Sequence, residues 1–259
     1  MDEPSFPRLY SAHVAQFTED LALWRNLATS YGSPILELGC GPGRVVFDLA
    51  KKGFNVTGLD DDRGMIRWAR AQIDADLQQK VNFIHADMRN FSLDGHYNLV
   101  IVPCNTFAYF NHSDARKVIT CVKKHLKSHG KLALVIPNPE LAYDYRNRVS
   151  EEERGKSEPI HDFIEPTSQN PVQVYAYEVL HGESNTLEVI WFFDELLPDG
   201  KVNRVQHDII YHLRSLDETR NLLKSVALDI VNVYGDYQRG PYKATSDEII
   251  LLLENITGA

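Results

Sequence analysis

Carboxylates and glycines stand at the ends of strand-like segments in the first third of the chain. The segment "ILELGCGPGR" places Glu37 two residues before Gly39, and glycine recurs at the next two alternate positions. Asp60 ends the following strand-like segment, "NVTGLD", and Asp87 ends a third, "VNFIHAD". Because ligands of open α/β sheets bind beyond the carboxyl ends of the strands, we expect these side chains to face one cleft.

The carboxylates in this cleft suit a ligand that carries hydroxyl, amine and ammonium donors. A carboxylate has several acceptor positions and attracts positive charge. Asp60 could accept both hydroxyl groups of a ribose, and Asp87 could accept the exocyclic amine of an adenine. The glycines would let the backbone approach the ligand without a Cβ clash. An alternative is that the acidic residues at 60–62 only cap the helix that follows.

The glycine spacing argues against a phosphate-containing cofactor. The pattern G-C-G-P-G is one residue tighter than the dinucleotide fingerprint, and Pro42 lacks an N–H that a phosphate would need. A ligand that combines a ribose, an adenine and a positive charge without a phosphate is S-adenosylmethionine. We therefore predict S-adenosylmethionine as the cofactor.

Alternating strand-like and helix-like segments must position these residues. The predicted strands of the first part are 34–39, 55–60, 81–87, 97–103 and 130–137, and the predicted helices are 44–52, 62–79 and 113–128. Gly53 and Gly130 stand where helix C-caps are expected. The same pattern returns with a helix at 216–226 and strands at 229–235 and 248–254. This order predicts a Rossmann-like, doubly wound α/β fold with a mostly parallel, seven-stranded sheet.

The middle of the chain follows a different pattern. Residues 140–171 are charged and broken by prolines, which predicts a loop with room for one helix, and three β-rich runs follow at 172–180, 185–196 and 201–213. Their short connections indicate an antiparallel β-meander inserted into the core. We predict a core of residues 1–139 and 215–259, and an inserted subdomain of residues 140–214 that covers the substrate or forms a dimer.

Composition narrows the classes of partner. The formal net charge is −9, and no run of basic residues exceeds Lys123-Lys124, so the sequence argues against a nucleic-acid partner. The longest apolar stretch is too short to cross a bilayer. The N-terminal residues do not form a signal-peptide pattern, and the cysteines are scattered, so we expect a cytoplasmic protein. The predicted partner is a small-molecule substrate. The protein is expected to be a monomer, or a homodimer formed through the β-meander.

These segments resemble the class I S-adenosylmethionine-dependent methyltransferases, in particular the small-molecule branch that includes N-methyltransferases. "ILELGCGPGR" is similar to the first motif of that family, "GLDDDRGMI" to its ribose-binding loop, and "ADMRNF" to its adenine-binding segment. "IVPCNTFAYF" is similar to the end of the fourth strand. The resemblance implies a methyl transfer by in-line displacement at that end of the sheet.

The resemblance also implies a set of site residues. Met65 would pack on the adenine, Met88 would contact its edge, and Tyr10 would close over the cofactor. Pro103 would approach the sulfonium, and Arg44 would pair with the cofactor carboxylate, with Glu19 or with Asp20. The complete set implied for the cofactor is Tyr10, Glu37, Gly39, Cys40, Gly41, Arg44, Asp60, Asp61, Met65, Asp87, Met88 and Pro103.

The sequence says less about the residues that bind the methyl acceptor than about those that bind the cofactor. We assign Asn105 and Tyr109 to catalysis, and the residues predicted to bind the substrate are Asn105, Phe107, Tyr109, Tyr175, Trp191 and His207. A neutral amine needs no strong base, whereas a hydroxyl group usually does. The preferred acceptor is therefore an amine nitrogen of a small molecule. An O-methyltransferase with a histidine base and a non-catalytic cofactor-binding protein are the alternatives.

Two further kinds of chemistry are disfavoured. Cys104 follows Pro103, as in the cytosine C5-methyltransferases that use a cysteine nucleophile, but no basic surface accompanies the pair. His207 and His212 are five residues apart in one strand, hence on opposite faces, and cannot chelate a metal together. No metal is predicted.

Overall fold

Two β-sheets organise the chain in the computed structural model, which describes residues 5–141 and 158–255. The strands are β1 (Ile35–Leu38), β2 (Val56–Asp60), β3 (Val81–His85), β4 (Tyr97–Val102), β5 (Leu126–Pro137), β6 (Glu158–Ile164), β7 (Pro171–His181), β8 (Thr186–Leu196), β9 (Val202–His212), β10 (Leu228–Tyr234) and β11 (Glu248–Asn255).

The larger sheet has seven strands in the order β10-β11-β5-β4-β1-β2-β3. β1 to β5 are parallel, and β11 lies antiparallel between β5 and β10. Both faces are buried: Leu36 and Leu38 face one hydrophobic cluster, and Ile35 faces the other. This arrangement confirms the predicted Rossmann-like, mostly parallel, seven-stranded fold, because strands covered on both faces read as nearly continuous apolar runs.

Helices flank this sheet and cover the cavity described below. They are α1 (Ser5–Val14), α2 (Leu21–Tyr31), α3 (Arg44–Lys51), α4 (Arg63–Ala71), α5 (His112–His125) and α6 (Leu216–Lys224), and 3₁₀ turns occupy Ala75–Leu77 and Thr106–Tyr109.

Helix ends differ from the sequence prediction at two places. The helix predicted at 62–79 ends at Ala71, and the one predicted at 113–128 ends at His125, where β5 follows directly. Gly53 has a φ of 99° after α3, as predicted for a C-cap. Gly130 instead lies inside β5, and a Cβ there would be 3.0 Å from the Tyr97 carbonyl oxygen. Glycine at that position serves a close backbone approach rather than a helix end.

The smaller sheet is the inserted meander, and it has four strands in the order β6-β7-β8-β9. β6 lies in the segment 140–171, predicted as a loop with room for one helix, and residues 142–157 of that segment fall outside the described residues. Strand alternation gives this sheet an inner face and an outer face. Trp191 and His207 are cross-strand partners on the inner face, and Tyr175 pairs with Phe192 on the outer face.

Helix α1 joins the two sheets by packing on the inner face of the meander. Leu9 is completely buried against Val174 and Phe193. Arg8 of the same helix forms ion pairs with Glu165 at 2.6 Å and with Glu195 at 2.8 Å. The sequence analysis did not predict this helix, although Phe6, Leu9, Tyr10 and His13 follow the spacing of one helical face.

Residues 5–141 and 158–255 contain neither a membrane-spanning helix nor a metal-binding cluster. None of the helices there has the length and apolarity required to span a membrane. In the same residues, no group of three or more His, Cys, Asp or Glu side chains could hold a metal ion.

Candidate functional site

A cavity of about 520 Å³ opens at the carboxyl ends of β1, β2 and β4. Its floor is the glycine segment after β1, and one wall is α1, through Phe6 and Tyr10. The opposite wall is the edge strand β9, through His207 and Ile209. The cavity therefore lies between the large sheet and the meander, where open α/β sheets bind their ligands.

The glycine segment adopts a conformation that other residues rarely tolerate. Gly39, Gly41 and Gly43 have φ angles of 68°, 52° and 90°, all in the left-handed region. Gly41 lines the cavity, and its N–H donates to Asp60 Oδ2 at 2.8 Å. The turn thus exposes backbone to the cavity at the point where α3 begins.

Glu37 is a buried carboxylate with one oxygen that lacks a partner. The residue is 3% exposed, and its Oε2 receives no hydrogen bond from the described residues. Burial raises its pKa well above the usual value, whereas the charge of Arg44 and a backbone hydrogen bond from Val46 lower it. Glu37 also lines the cavity, so its unpartnered oxygen can be satisfied by a cationic or hydrogen-bond-donating ligand group.

Asp60 braces the turn and still has acceptor capacity. Its Oδ1 accepts the N–H of Asp62 at 2.9 Å, in addition to the bond from Gly41. Each carboxylate oxygen has a second lone pair, which leaves room for two ligand hydroxyl groups. Asp62 caps α4 by accepting the N–H groups of Gly64 and Met65, so the capping alternative holds for that residue.

Arg44 is held by Asp20 rather than free in the cavity. Its Nη1 and Nη2 donate to the two Asp20 oxygens at 2.6 Å and 2.7 Å, and Nη2 lies 3.3 Å from Cys104 Sγ. Of the two roles implied for Arg44, the structure places it with an acidic residue of the chain. The pair fixes the start of α3 beside the segment that follows β4.

The segment after β4 carries backbone strain. Cys104 and Asn105 have φ angles of 53° and 58°, and Asn105 precedes the 3₁₀ turn at Thr106–Tyr109. Consecutive left-handed residues other than glycine are uncommon and concentrate at functional sites. Burial raises the pKa of the Cys104 thiol to about 11, which keeps it neutral and agrees with the rejection of a cysteine nucleophile.

The cavity brings together most of the residues implied for the cofactor. Those that line it are Tyr10, Glu37, Gly39, Cys40, Gly41, Arg44, Asp60, Asp61, Met65, Met88 and Pro103. Asp87 does not line it, and both of its oxygens accept from Arg89 Nε, Oδ1 at 3.0 Å and Oδ2 at 2.9 Å. These bonds hold the pKa of Asp87 below its usual value. The binding role of Asp87 stays a prediction.

The predicted substrate residues divide into two groups. Tyr109 and His207 line the cavity, whereas Asn105 does not, although its neighbours Cys104 and Thr106 do. Phe107 is completely buried in the hydrophobic core, and Tyr175 lies on the outer face of the meander, where its hydroxyl donates to Gln173 at 2.6 Å. The structure corrects both assignments, since the first side chain fills the core and strand alternation turns the second away. Trp191 lies on the inner face but packs on His13 rather than lining the cavity.

Sequence analysis missed residues that only the fold brings to this site. Phe6 of α1 stacks on His207 with ring centroids 4.2 Å apart. The rings of Tyr211 and Tyr109 have centroids 5.4 Å apart, and Asn105 lowers the pKa of Glu248. No local pattern marks these residues, because each belongs to an element far along the chain from its partner.

Comparison with known families agrees with this geometry. Residues 35–130 match the family model described as a methyltransferase domain. Residues 35–130 therefore form a methyltransferase domain. The methyltransferase domain contains the glycine turn, Asp60 and the strained segment after β4.

Known methyltransferases resemble this chain in sequence and in structure. The chain is 33% identical to YqeM of Bacillus subtilis over 120 residues, 42% of this chain and 48% of that protein. It is thus aligned with about half of that relative. It is 23% identical to the cypemycin N-terminal methyltransferase of a Streptomyces species, over 86% of this chain and 83% of that protein. A solved methyltransferase from Clostridium acetobutylicum superposes with a TM-score of 0.75 at 16% identity, and the match covers 95% and 97% of the two chains.

Proposed function

We propose that this protein is an S-adenosylmethionine-dependent methyltransferase that methylates an amine nitrogen of a small molecule. The observation that carries the proposal is Glu37, a buried carboxylate with an unpartnered oxygen at the wall of a cavity formed by a glycine turn. S-adenosylmethionine supplies an electrophilic methyl group on a positively charged sulfur when it is bound.

The residues of the cavity fit this cofactor. Glu37 would accept from the ammonium group of its amino-acid part, and Asp60 would accept the ribose hydroxyls. Met65 and Met88 are 5% and 7% exposed and would contact the adenine. Tyr10 and Phe6 on α1 would close over the ligand and exclude water from the transfer centre.

Two features support an amine acceptor. No described lysine lines the cavity, and a neutral amine can attack a methyl group without a strong base. The similarity to the cypemycin N-terminal methyltransferase, over most of both chains, points in the same direction. Turnover of amine and hydroxyl libraries distinguishes this enzyme from a protein that only binds the cofactor.

Replacing Asp60 with alanine should weaken S-adenosylmethionine binding by about 1–3 kcal/mol, since two hydrogen bonds to a charged group are lost. Isothermal titration calorimetry measures this change. Asp74→Ala is the control, because Asp74 is exposed and its side chain makes no cap bond. No binding by the wild type at millimolar ligand would contradict the proposed function itself.

A histidine-dependent O-methyltransferase is the second candidate, because His207 lines the cavity. Burial lowers the pKa of His207, so its imidazole is neutral at physiological pH and can accept a proton. This candidate predicts that the rate with a hydroxyl substrate rises as His207 loses its proton. The His207→Gln variant should then lose that rise, whereas an amine-directed enzyme should keep its pH profile.

A further inference from the structure

Glu248 lies at the same edge of the sheet as the cavity. It is the first residue of β11 and pairs with Pro137, the last residue of β5. Because β11 runs antiparallel to β5, its start lies where the parallel strands end. Asn105 follows β4 at this edge, and its side chain lowers the pKa of Glu248. A residue near the C-terminal end of the chain thus meets the segment predicted to hold the acceptor.

Two buried oxygen atoms at this contact receive no hydrogen bond from the described residues. They are Asn105 Oδ1 and Glu248 Oε2. Tyr237 donates to the other Glu248 oxygen at 3.5 Å, and no described lysine or arginine forms an ion pair with Glu248. Buried polar atoms are normally satisfied, so this pair of oxygens indicates a missing donor group.

Aromatic rings surround the same place. Tyr237 contacts Glu248, and Cys104, the neighbour of Asn105, lines the cavity. The ring of Tyr211 lies 5.4 Å from that of Tyr109, which also lines the cavity. Arg44 lies 3.3 Å from Cys104, but both of its terminal nitrogens are bonded to Asp20. The site offers hydrogen-bond-accepting oxygens and aromatic ring faces. These favour a ligand group that is positively charged and has several N–H donors.

We propose that Asn105 and Glu248 form a subsite that binds the acceptor as an ammonium ion, and that Glu248 Oε2 removes its proton. This inference rests on the proposed function and names its substrate class as a protonated primary or secondary amine. The N–H bond breaks with its electron pair left on nitrogen, and the proton forms an O–H bond on Oε2. An ammonium and a carboxylate become a neutral amine and a carboxylic acid, and the nitrogen lone pair becomes available as the nucleophile.

The acidity of Glu248 suits this proton transfer. Burial raises the pKa of Glu248 to about 7, Asn105 and Tyr237 act in the opposite direction, and the nearby charge of Asp247 adds to the rise. Tyr211 is the other titratable group that faces it. Glu248 is then neutral below pH 7 and ionised above it. Ammonium binding should strengthen as the pH rises through 7, because only the carboxylate form attracts the cation.

Ligand-observed NMR with the cofactor-free protein tests the subsite, with n-butylammonium as the probe and n-butanol as its neutral counterpart. The probe stays protonated from pH 6 to pH 8, since an alkyl amine has a pKa near 10. We expect its affinity to increase about tenfold between these pH values, as a group with a pKa near 7 ionises. Glu248→Gln should bind it about tenfold more weakly at pH 8 and without pH dependence.

Glu254→Gln is the matched control, because Glu254 lies at the far end of β11 and pairs with Lys131. A second readout is the ¹³C carboxyl titration of glutamate-labelled protein. A resonance with a midpoint near pH 7 should be absent from Glu248→Gln, and n-butylammonium should lower that midpoint in the wild type. A role that is only structural would leave the midpoint unchanged when the probe is added.

The subsite is overturned if the wild type does not bind n-butylammonium, if n-butanol binds equally well, or if the pH dependence persists in Glu248→Gln. Calorimetry with S-adenosylmethionine separates this result from failure of the proposed function. If the wild type and Glu248→Gln bind the cofactor equally while the amine tests fail, only the subsite is wrong. Glu248→Gln is nearly isosteric, and its melting temperature checks that it folds.

Discussion

Replacing Arg8 with methionine is expected to lower the free energy of unfolding by about 3–5 kcal/mol, because it leaves two buried carboxylates without their cation. The side chains of Glu165 and Glu195 are each 2% exposed in their ion pairs with Arg8. Urea denaturation measures the loss. Since Arg8 holds α1 on the meander, cofactor affinity should fall as well.

The pH dependence of this loss follows from Glu195. Although burial raises the pKa of Glu195, hydrogen bonds from Arg8, Asn170 and Ser168 lower it to about 2, from 4.5. Its ionised form therefore stabilises the fold above pH 4.5, and this contribution disappears as the pH falls towards 2. The difference between the wild type and Arg8→Met should shrink over that range.

Arg204→Met is the matched control for Arg8→Met. Arg204 forms a two-bond pair with Asp194 at 2.7 Å and 2.6 Å, but its side chain is 58% exposed. Exposed pairs contribute about 0–1 kcal/mol. Equal losses in the two variants would contradict the conclusion that burial makes the Arg8 cluster important.

Gly39→Ala is expected to reduce S-adenosylmethionine affinity at least about tenfold and to destabilise the fold by about 1–3 kcal/mol. Gly39 has a φ of 68°, and an added Cβ would collide with Thr106 Cγ2. The turn must then move, and with it the backbone at the cavity floor. Calorimetry and thermal denaturation measure the two effects.

Gly95→Ala and a double variant make this prediction specific. A Cβ at Gly95 meets no atom within 4 Å, so this control should bind the cofactor normally. Thr106→Ser removes the colliding methyl group and should partly restore Gly39→Ala, while the strain of the left-handed backbone remains. Normal cofactor binding by Gly39→Ala alone would show that the turn does not form the site.

The fold of the core and much of the cofactor site were predictable from the sequence. The apolar runs that contain Glu37 or lead to Asp60 and Asp87 identify parallel strands, because both faces of such a sheet are buried. The glycines at alternate positions identify a turn with positive φ angles, since this is a local backbone requirement. Both signals lie within a few residues, and the cavity contains the glycines, Glu37 and Asp60.

Tertiary packing decided the rest of the site. The sequence placed Tyr175 near the substrate, but strand pairing sets which face of the meander covers the cavity, and Tyr175 is on the other one. Asp87 is engaged by Arg89, a competition that residue spacing does not reveal. Helix α1 closes the cavity, and β11 brings Glu248 to Asn105. Such contacts join distant segments, and only the folded chain determines which side chains meet.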